Sequence, residues 1–226
     1  TLSSSSAASD VYKRQVQQMI DEHMKLFRTT DMDIVKIMQD YPYPISGKIT
    51  CADDWYHIQV KGTDSEEFAK MAEIIRGIRK EAGKDVLIFQ TMFGPFKAAS
   101  MTFGDDVLMK YSKEAPEAVA AGVKIIADAL EEWTKGYLEA GADGIYYSAQ
   151  FGEIGRFEKN EWEELVRPYD LQILKVAEEM PEKYNILHIC GEPEYQFETH
   201  VEWFKNYPAD SVSYTHLRAH ETEADL

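Results

Sequence analysis

The sequence predicts an α/β protein built on a parallel sheet, and three observations carry that prediction. Short apolar runs rich in β-branched and aromatic residues recur along the chain: DIVKIM (33–38), DVLIFQT (85–91), DGIYYSA (143–149) and NILHIC (185–190). Between them lie stretches whose apolar residues repeat at three and four positions. Strand and helix therefore alternate along the chain, as they do in sheets assembled from βα units. A TIM barrel and a doubly wound sheet both satisfy this pattern. No GxGxxG or GxxxxGK[ST] stretch follows any of the runs, which weakens a nucleotide-binding version of the fold. Four units make about half of an eight-stranded barrel of roughly 250 residues, so a barrel here would be truncated.

Each apolar run is bounded by Gly, Pro, Asp or Asn and reads as a buried strand. After the first, Phe68, Met71, Ile74, Ile75 and Ile78 mark a helix that ends near Gly83, a C-cap. The second run leaves through MFGPFKAAS, where Gly94 and Pro95 read as a tight turn flanked by Phe93 and Phe96. Residues 114–140 form a second helix, with Pro116 in its first turn and Val119, Val123, Ile126, Leu130 and Trp133 as its stripe. In the third run Tyr146, Ser148 and Gln150 share one face and Ile145, Tyr147 and Ala149 the other. A polar ladder of this kind points to a barrel mouth, so Tyr146, Ser148 and Gln150, with Phe93 at the neighbouring exit, are candidate substrate-binding residues. Residues 158–180 are helical, kinked or divided at Pro168. A last helix is expected over 195–206, carrying Phe197, Val201 and Phe204.

Composition limits what the chain does. Its 226 residues suit one large domain or two small ones. With 40 acidic against 24 basic side chains and a net charge of -16, it would be repelled by nucleic acid and by anionic membranes. No apolar stretch reaches the roughly 20 residues of a membrane span, and no signal peptide is visible. Two cysteines, Cys51 and Cys190, are too few for a disulfide framework. The expectation is a cytoplasmic protein with reduced thiols and a small-molecule substrate.

The two ends differ from the middle. TLSSSSAASDVYKRQ and SVSYTHLRAHETEADL lack apolar periodicity and resemble translated sequencing-adapter tails or disordered linkers. Residues 1–15 and 211–226 are accordingly expected to be non-native tails, with the domain at 16–210.

The sharpest chemical feature is NILHICG. On a strand, His188 and Cys190 project to the same side, and Gly191 ends the strand where α/β enzymes place their chemistry. Imidazole and thiolate are zinc ligands, and a catalytic zinc takes three protein ligands, so the pair is either an incomplete metal site or a hydrogen-bonded histidine beside a small buried thiol. Cys51 lies in a polar loop without a motif, and His23, His57 and His200 join no constellation. Asp40 closes the first run as a turn former before proline or as a carboxylate facing a cationic or NH-rich ligand.

Taken together, GADGIYYSAQ, FGPFKAAS with its following FGDD, VKIMQDYPYP and above all NILHICG resemble the uroporphyrinogen decarboxylase superfamily. That superfamily includes cobalamin-dependent methyltransferases, which move a methyl group from methylcobalamin to a thiol such as coenzyme M. The resemblance covers residues 16–210 and implies a partial TIM (β/α)8 barrel of about four or five βα units. The methyltransferase branch is the better match, because its H-x-C zinc pair carries over onto His188 and Cys190. Its third ligand, a downstream cysteine, is not reached in this sequence. The resemblance thus implies zinc and a methylated corrinoid as cofactors, with a separate corrinoid protein as an admissible partner. The rival within the family is uroporphyrinogen decarboxylation in porphyrin biosynthesis, where Asp40 would stand in for the aspartate that accepts the pyrrole NH groups. The arginine-rich motif of true decarboxylases is absent. A third reading is an inactive fragment of either enzyme, since a half barrel leaves its lumen without a wall.

Overall fold

Alternating apolar and amphipathic segments become a sheet wrapped by helices in the computed structural model, which describes residues 4–39 and 42–215. The elements are α1 (Ser4–Thr30), β1 (Ile34–Ile37), β2 (Ile45–Ser46), β3 (Gln59–Val60), α2 (Glu66–Ala82), β4 (Leu87–Phe93), α3 (Pro95–Phe103), α4 (Asp105–Glu114), α5 (Pro116–Ala140), β5 (Gly144–Ala149), α6 (Lys159–Leu165), α7 (Arg167–Glu179), β6 (Tyr184–Ile189) and β7 (Ser211–Tyr214). Strands β1, β4, β5, β6 and β7 pair in that order, all parallel, while β2 and β3 make a small antiparallel ribbon. The order follows the chain without reversing. A doubly wound sheet reverses at a switch point, so the choice left open by the sequence falls to the barrel: the sheet curls into half a TIM barrel.

Period-two burial separates the two faces of this sheet. Ile88, Met92, Ile145, Tyr147, Leu187 and Ile189 are buried on the outer side beneath the helices. Lys36, Phe93, Tyr146 and His188 alternate with that set and are only partly covered on the concave side. The outer layer is aromatic as well as aliphatic: Trp133 of α5 meets Tyr43, Phe68 and Tyr137 at ring-centroid distances of 5.7, 5.5 and 5.9 Å. In α1, Val16, Ile20 and Met24 recur every four residues and supply its buried side.

At the strands' N-terminal ends, one knot fixes three elements. Arg79 of α2 donates to the carbonyls of Gly83, Gly141 and Val86 and pairs with Asp143, whose carboxylate also accepts the Ile88 amide at 2.7 Å. This is the end of a barrel that serves stability rather than chemistry.

Two expectations change. Residues 195–206 are not an α-helix: Gln196 and Phe197 adopt positive φ values of 56° and 58°, and only short 3-10 turns form at Pro193–Tyr195 and Val201–Phe204. Two successive left-handed residues cannot continue a right-handed helix. The Gly94–Pro95 exit is the start of α3 rather than a mere turn, with Gly94 as N-cap and Pro95 in the first turn, where its missing N–H is not needed. The segment 158–180 divides as expected, into α6 and α7, with Pro168 in the first turn of α7. Helix α1 runs through residue 15, and strand β7 begins at Ser211. Among the described residues no helix is long and apolar enough to cross a membrane.

Gly94 is required by close approach. A Cβ there would sit 2.5 Å from Oδ1 of Asp170 and 2.7 Å from the Tyr147 hydroxyl. Gly94→Ala is therefore expected to destabilise the chain by about 1–3 kcal/mol, measured by urea unfolding; a loss below a few tenths would show that the contact relaxes freely.

Candidate active site

His188 and Cys190 stand at the C-terminal end of β6, beside the end of β5. His188 is opposite Ser148 in the strand register, yet the imidazole stacks on Tyr146, with centroids 5.6 Å apart, and the Cys190 sulfur lies 3.0 Å from the Ser148 hydroxyl. Both are diagonal cross-strand pairs, which form only between side chains on one face. The structure thus brings together Tyr146, Ser148, His188 and Cys190 on the concave side, with Gln150 hydrogen-bonded to the sulfur. Phe93 ends β4 opposite Ser148. Asp40 lies outside the described residues.

The two candidate ligands differ electrostatically. The imidazole contacts Ser213 through Nδ1 at 2.8 Å and Thr215 through Nε2 at 3.2 Å. Burial, and secondarily the Lys36 ammonium, hold its pKa below the ordinary value, favouring the neutral ring that ligates metals. Burial pushes the Cys190 thiol up, and Glu192 adds to that. Hydrogen bonds from Ser148 and Gln150 and the charge of Lys97 act in the opposite direction. The donor set is of the type zinc takes, but among the described residues no group of three or more His, Cys, Asp or Glu side chains is placed to hold a metal. His188 and Cys190 are two side chains of that type at one strand end, and the described residues add no third.

Several residues at this end were not visible in the sequence as site residues. The Lys36 ammonium sits 4.1 Å from the centre of the Tyr146 ring, so the concave wall reads ammonium, phenol and imidazole in succession. A lone lysine inside the apolar run VKI was the available signal. Lys97 of α3 pairs with Glu192 at 3.3 Å, tying α3 to the loop after β6. Behind the mouth, Glu153 is fully buried beside Arg156, which also pairs with Asp105 and places its guanidinium 3.9 Å from the centre of the Phe151 ring. The remaining histidines and cysteine are elsewhere. His23 accepts the Met38 amide at 3.1 Å and ties α1 to the end of β1, His57 is on an exposed turn, His200 stacks on Trp203, and Cys51 is exposed.

Comparison with known proteins gives the setting. Residues 30–223 match the family model described as uroporphyrinogen decarboxylase (URO-D). No curated protein sequence matches the chain. Among solved structures, a methyltransferase from Methanosarcina mazei aligns with a TM-score of 0.66 at 16% identity, over 88% of this chain and 62% of that one. A B12-independent methionine synthase from Shewanella sp. W3-18-1, in complex with selenomethionine, aligns with a TM-score of 0.51 at 15% identity, over 86% of this chain and 57% of that one. At such identities the likeness is one of fold, and the chain spans less than two thirds of either structure.

Proposed function

The chain belongs to the uroporphyrinogen decarboxylase family, and from that premise we propose that its parent enzyme transfers a methyl group from a methylated corrinoid to a thiol acceptor, using zinc held in part by His188 and Cys190. The family's chemistry is methyl transfer or decarboxylation. The observation that favours methyl transfer is the projection of imidazole and sulfur from one face at the mouth, with the imidazole biased to its neutral form.

Zinc, when bound, would supply the Lewis acidity that keeps an acceptor thiol deprotonated at neutral pH, and the corrinoid the methyl group. The residues of this chain do the rest. His188 and Cys190 offer two donors on a rigid strand end. Tyr146, fixed between the Lys36 ammonium and the imidazole, joins them into one concave wall that a small substrate would meet. Phe93 covers the neighbouring strand end and limits water there. A small thiol and a separate corrinoid protein are the partners this reading requires.

The test is zinc binding by the full chain. His188→Ala and Cys190→Ser are each expected to weaken it by at least about tenfold in a chelator competition, while Cys51→Ser leaves it unchanged. Zinc affinity indifferent to both substitutions would remove the metal site. Decarboxylation, which the family description itself favours, is the second reading, with Asp40 as its acceptor of pyrrole NH groups. Turnover of uroporphyrinogen by the whole enzyme that survives His188→Ala but not Asp40→Asn would establish it instead.

A further inference from the structure

We propose that Lys36 is an anion anchor: its ammonium, with the Thr91 hydroxyl of the adjoining strand, holds a single carboxylate of the small molecule that enters the lumen. The inference goes beyond the reaction assigned above and holds whichever of the two reactions the parent enzyme performs, because it needs neither a metal nor a reacting sulfur.

The charge pattern of the concave wall is the first ground. Among the described strand residues that face the lumen, Lys36 is the only Lys or Arg, and no Asp or Glu accompanies it. Barrel interiors are ordinarily filled by branched aliphatic side chains, so an ammonium here gives up hydration where an apolar group would give up none. Its neighbours in kind are all provided for. Of the partly covered lysines, Lys70 donates to Gln15 at 2.7 Å, Lys97 pairs with Glu192 at 3.3 Å and Lys183 donates to the Ala142 carbonyl at 2.7 Å. The Lys36 ammonium makes no hydrogen bond or ion pair among the described residues and rests 4.1 Å from the centre of the Tyr146 ring. Burial holds its pKa below the ordinary value, as expected of a cation that has lost water without gaining a counter-charge.

The second ground is independent of charge. Thr91 lies opposite Tyr146 in the register of β4 and β5, and β4 is the strand that the Lys36 side chain crosses to reach the Tyr146 ring. Thr91 is 2% exposed, and its hydroxyl has no hydrogen-bond partner. Buried hydroxyls are seldom left in that state. An unpaired cation and an unpartnered hydroxyl on adjoining strands are together what a carboxylate's two oxygens require.

The charge also limits the ligand. One ammonium balances one negative charge, and a chain of net charge -16 gives little support to a second, so a carboxylate fits where a phosphate dianion does not. A ring face is a weaker partner for a cation than a carboxylate, and the flexible four-carbon stem lets the ammonium exchange one for the other while the strand stays fixed.

The experiment follows the thermal midpoint of the full chain as sodium propionate, its neutral isostere propionamide, or sodium chloride at equal ionic strength is added. Propionate is expected to raise the midpoint of the parent where propionamide and chloride do not. The apparent propionate affinity should fall by about 10- to 100-fold in Lys36→Met and by a few-fold in Thr91→Val, and should persist in Lys36→Arg. Without propionate, Lys36→Met should keep or raise the midpoint, because it removes an uncompensated cation; a merely structural lysine would lower it. Lys36→Gln, which keeps a polar stem without the charge, repeats the comparison should Lys36→Met fail to fold. A propionate response no larger than that of propionamide, or one shared equally by the parent and Lys36→Met, would overturn the anchor. Thr91→Val responding as the parent does would remove the hydroxyl from it. A response to inorganic phosphate at lower concentration than to propionate, lost in Lys36→Met, would overturn the single-carboxylate assignment. Zinc binding, tested separately through His188→Ala and Cys190→Ser, stands or falls apart from all of these outcomes.

Discussion

Arg156→Ala is expected to lower the stability of the chain by about 3–5 kcal/mol, because it removes the cation facing a fully buried carboxylate. Glu153 has no exposed surface, and the Arg156 side chain is 5% exposed, so neither charge has water as an alternative partner. Desolvation already pushes the Glu153 pKa up, opposed chiefly by Arg156, and Glu192 adds repulsion. Without the guanidinium, the carboxylate must ionise unpaired or take up a proton. The loss should extend beyond the pair, because Arg156 also binds Asp105 at the start of α4 and covers Phe151. Urea unfolding of Arg156→Ala, Glu153→Gln and the double variant checks this: the double should be more stable than Arg156→Ala alone, since it no longer buries a lone charge. A cost for Arg156→Ala below about 1 kcal/mol, the level of a surface ion pair, would show that Glu153 finds water or another donor.

The second large effect is a pH dependence owed to Asp170. Its carboxylate is 2% exposed and accepts hydrogen bonds from Tyr147 at 2.6 Å and Tyr207 at 2.9 Å. Burial pushes its pKa from 3.8 up to about 7, against the opposing pull of the two hydroxyls. A raised folded-state pKa means that the native chain holds this proton more tightly than the unfolded chain. The contribution of Asp170 to stability is therefore complete below about pH 4 and falls as pH rises through about 7, by roughly 4 kcal/mol in all. Asp170→Asn should flatten this component of the stability–pH curve between about pH 4 and 7. Parallel curves for the parent and Asp170→Asn would show that Asp170 titrates normally. The comparison between the two isolates Asp170 from Glu67 and Glu161, whose pKa values are depressed by hydrogen bonds to lysines and to backbone and whose contributions are lost as pH falls.

Much of the architecture was legible in the sequence because parallel strands buried on one face leave apolar runs, and β1, β4, β5 and β6 coincide with the four runs. The helices were legible for the corresponding reason, a stripe at helical spacing closed by Gly83 or opened by Pro116. The His188–Cys190 pairing was legible because alternation along a strand is a property of the backbone alone. Strands β2 and β3 have two residues each and carry no period to read. The apolar spacing of Phe197, Val201 and Phe204 imitated a helix, and nothing local announced the left-handed pair that breaks it. Glu153 and Arg156 looked like ordinary surface charges, since their burial comes from the β5 and β6 loops closing over them: the Ile154 amide donates to the Glu198 carbonyl and the His200 amide to that of Gly152. The partnership of Ser148 with Cys190 required the register of β5 against β6, which long-range pairing sets.

The Arg79–Asp143 knot has a consequence for how such a molecule changes over time. It anchors one helix and two strands at the pole remote from the chemistry, using three main-chain carbonyls and one amide that no side-chain exchange can delete. Register is thereby secured from below, which leaves exposed positions of the opposite rim, such as Glu194 and Glu198, free to vary without disturbing it.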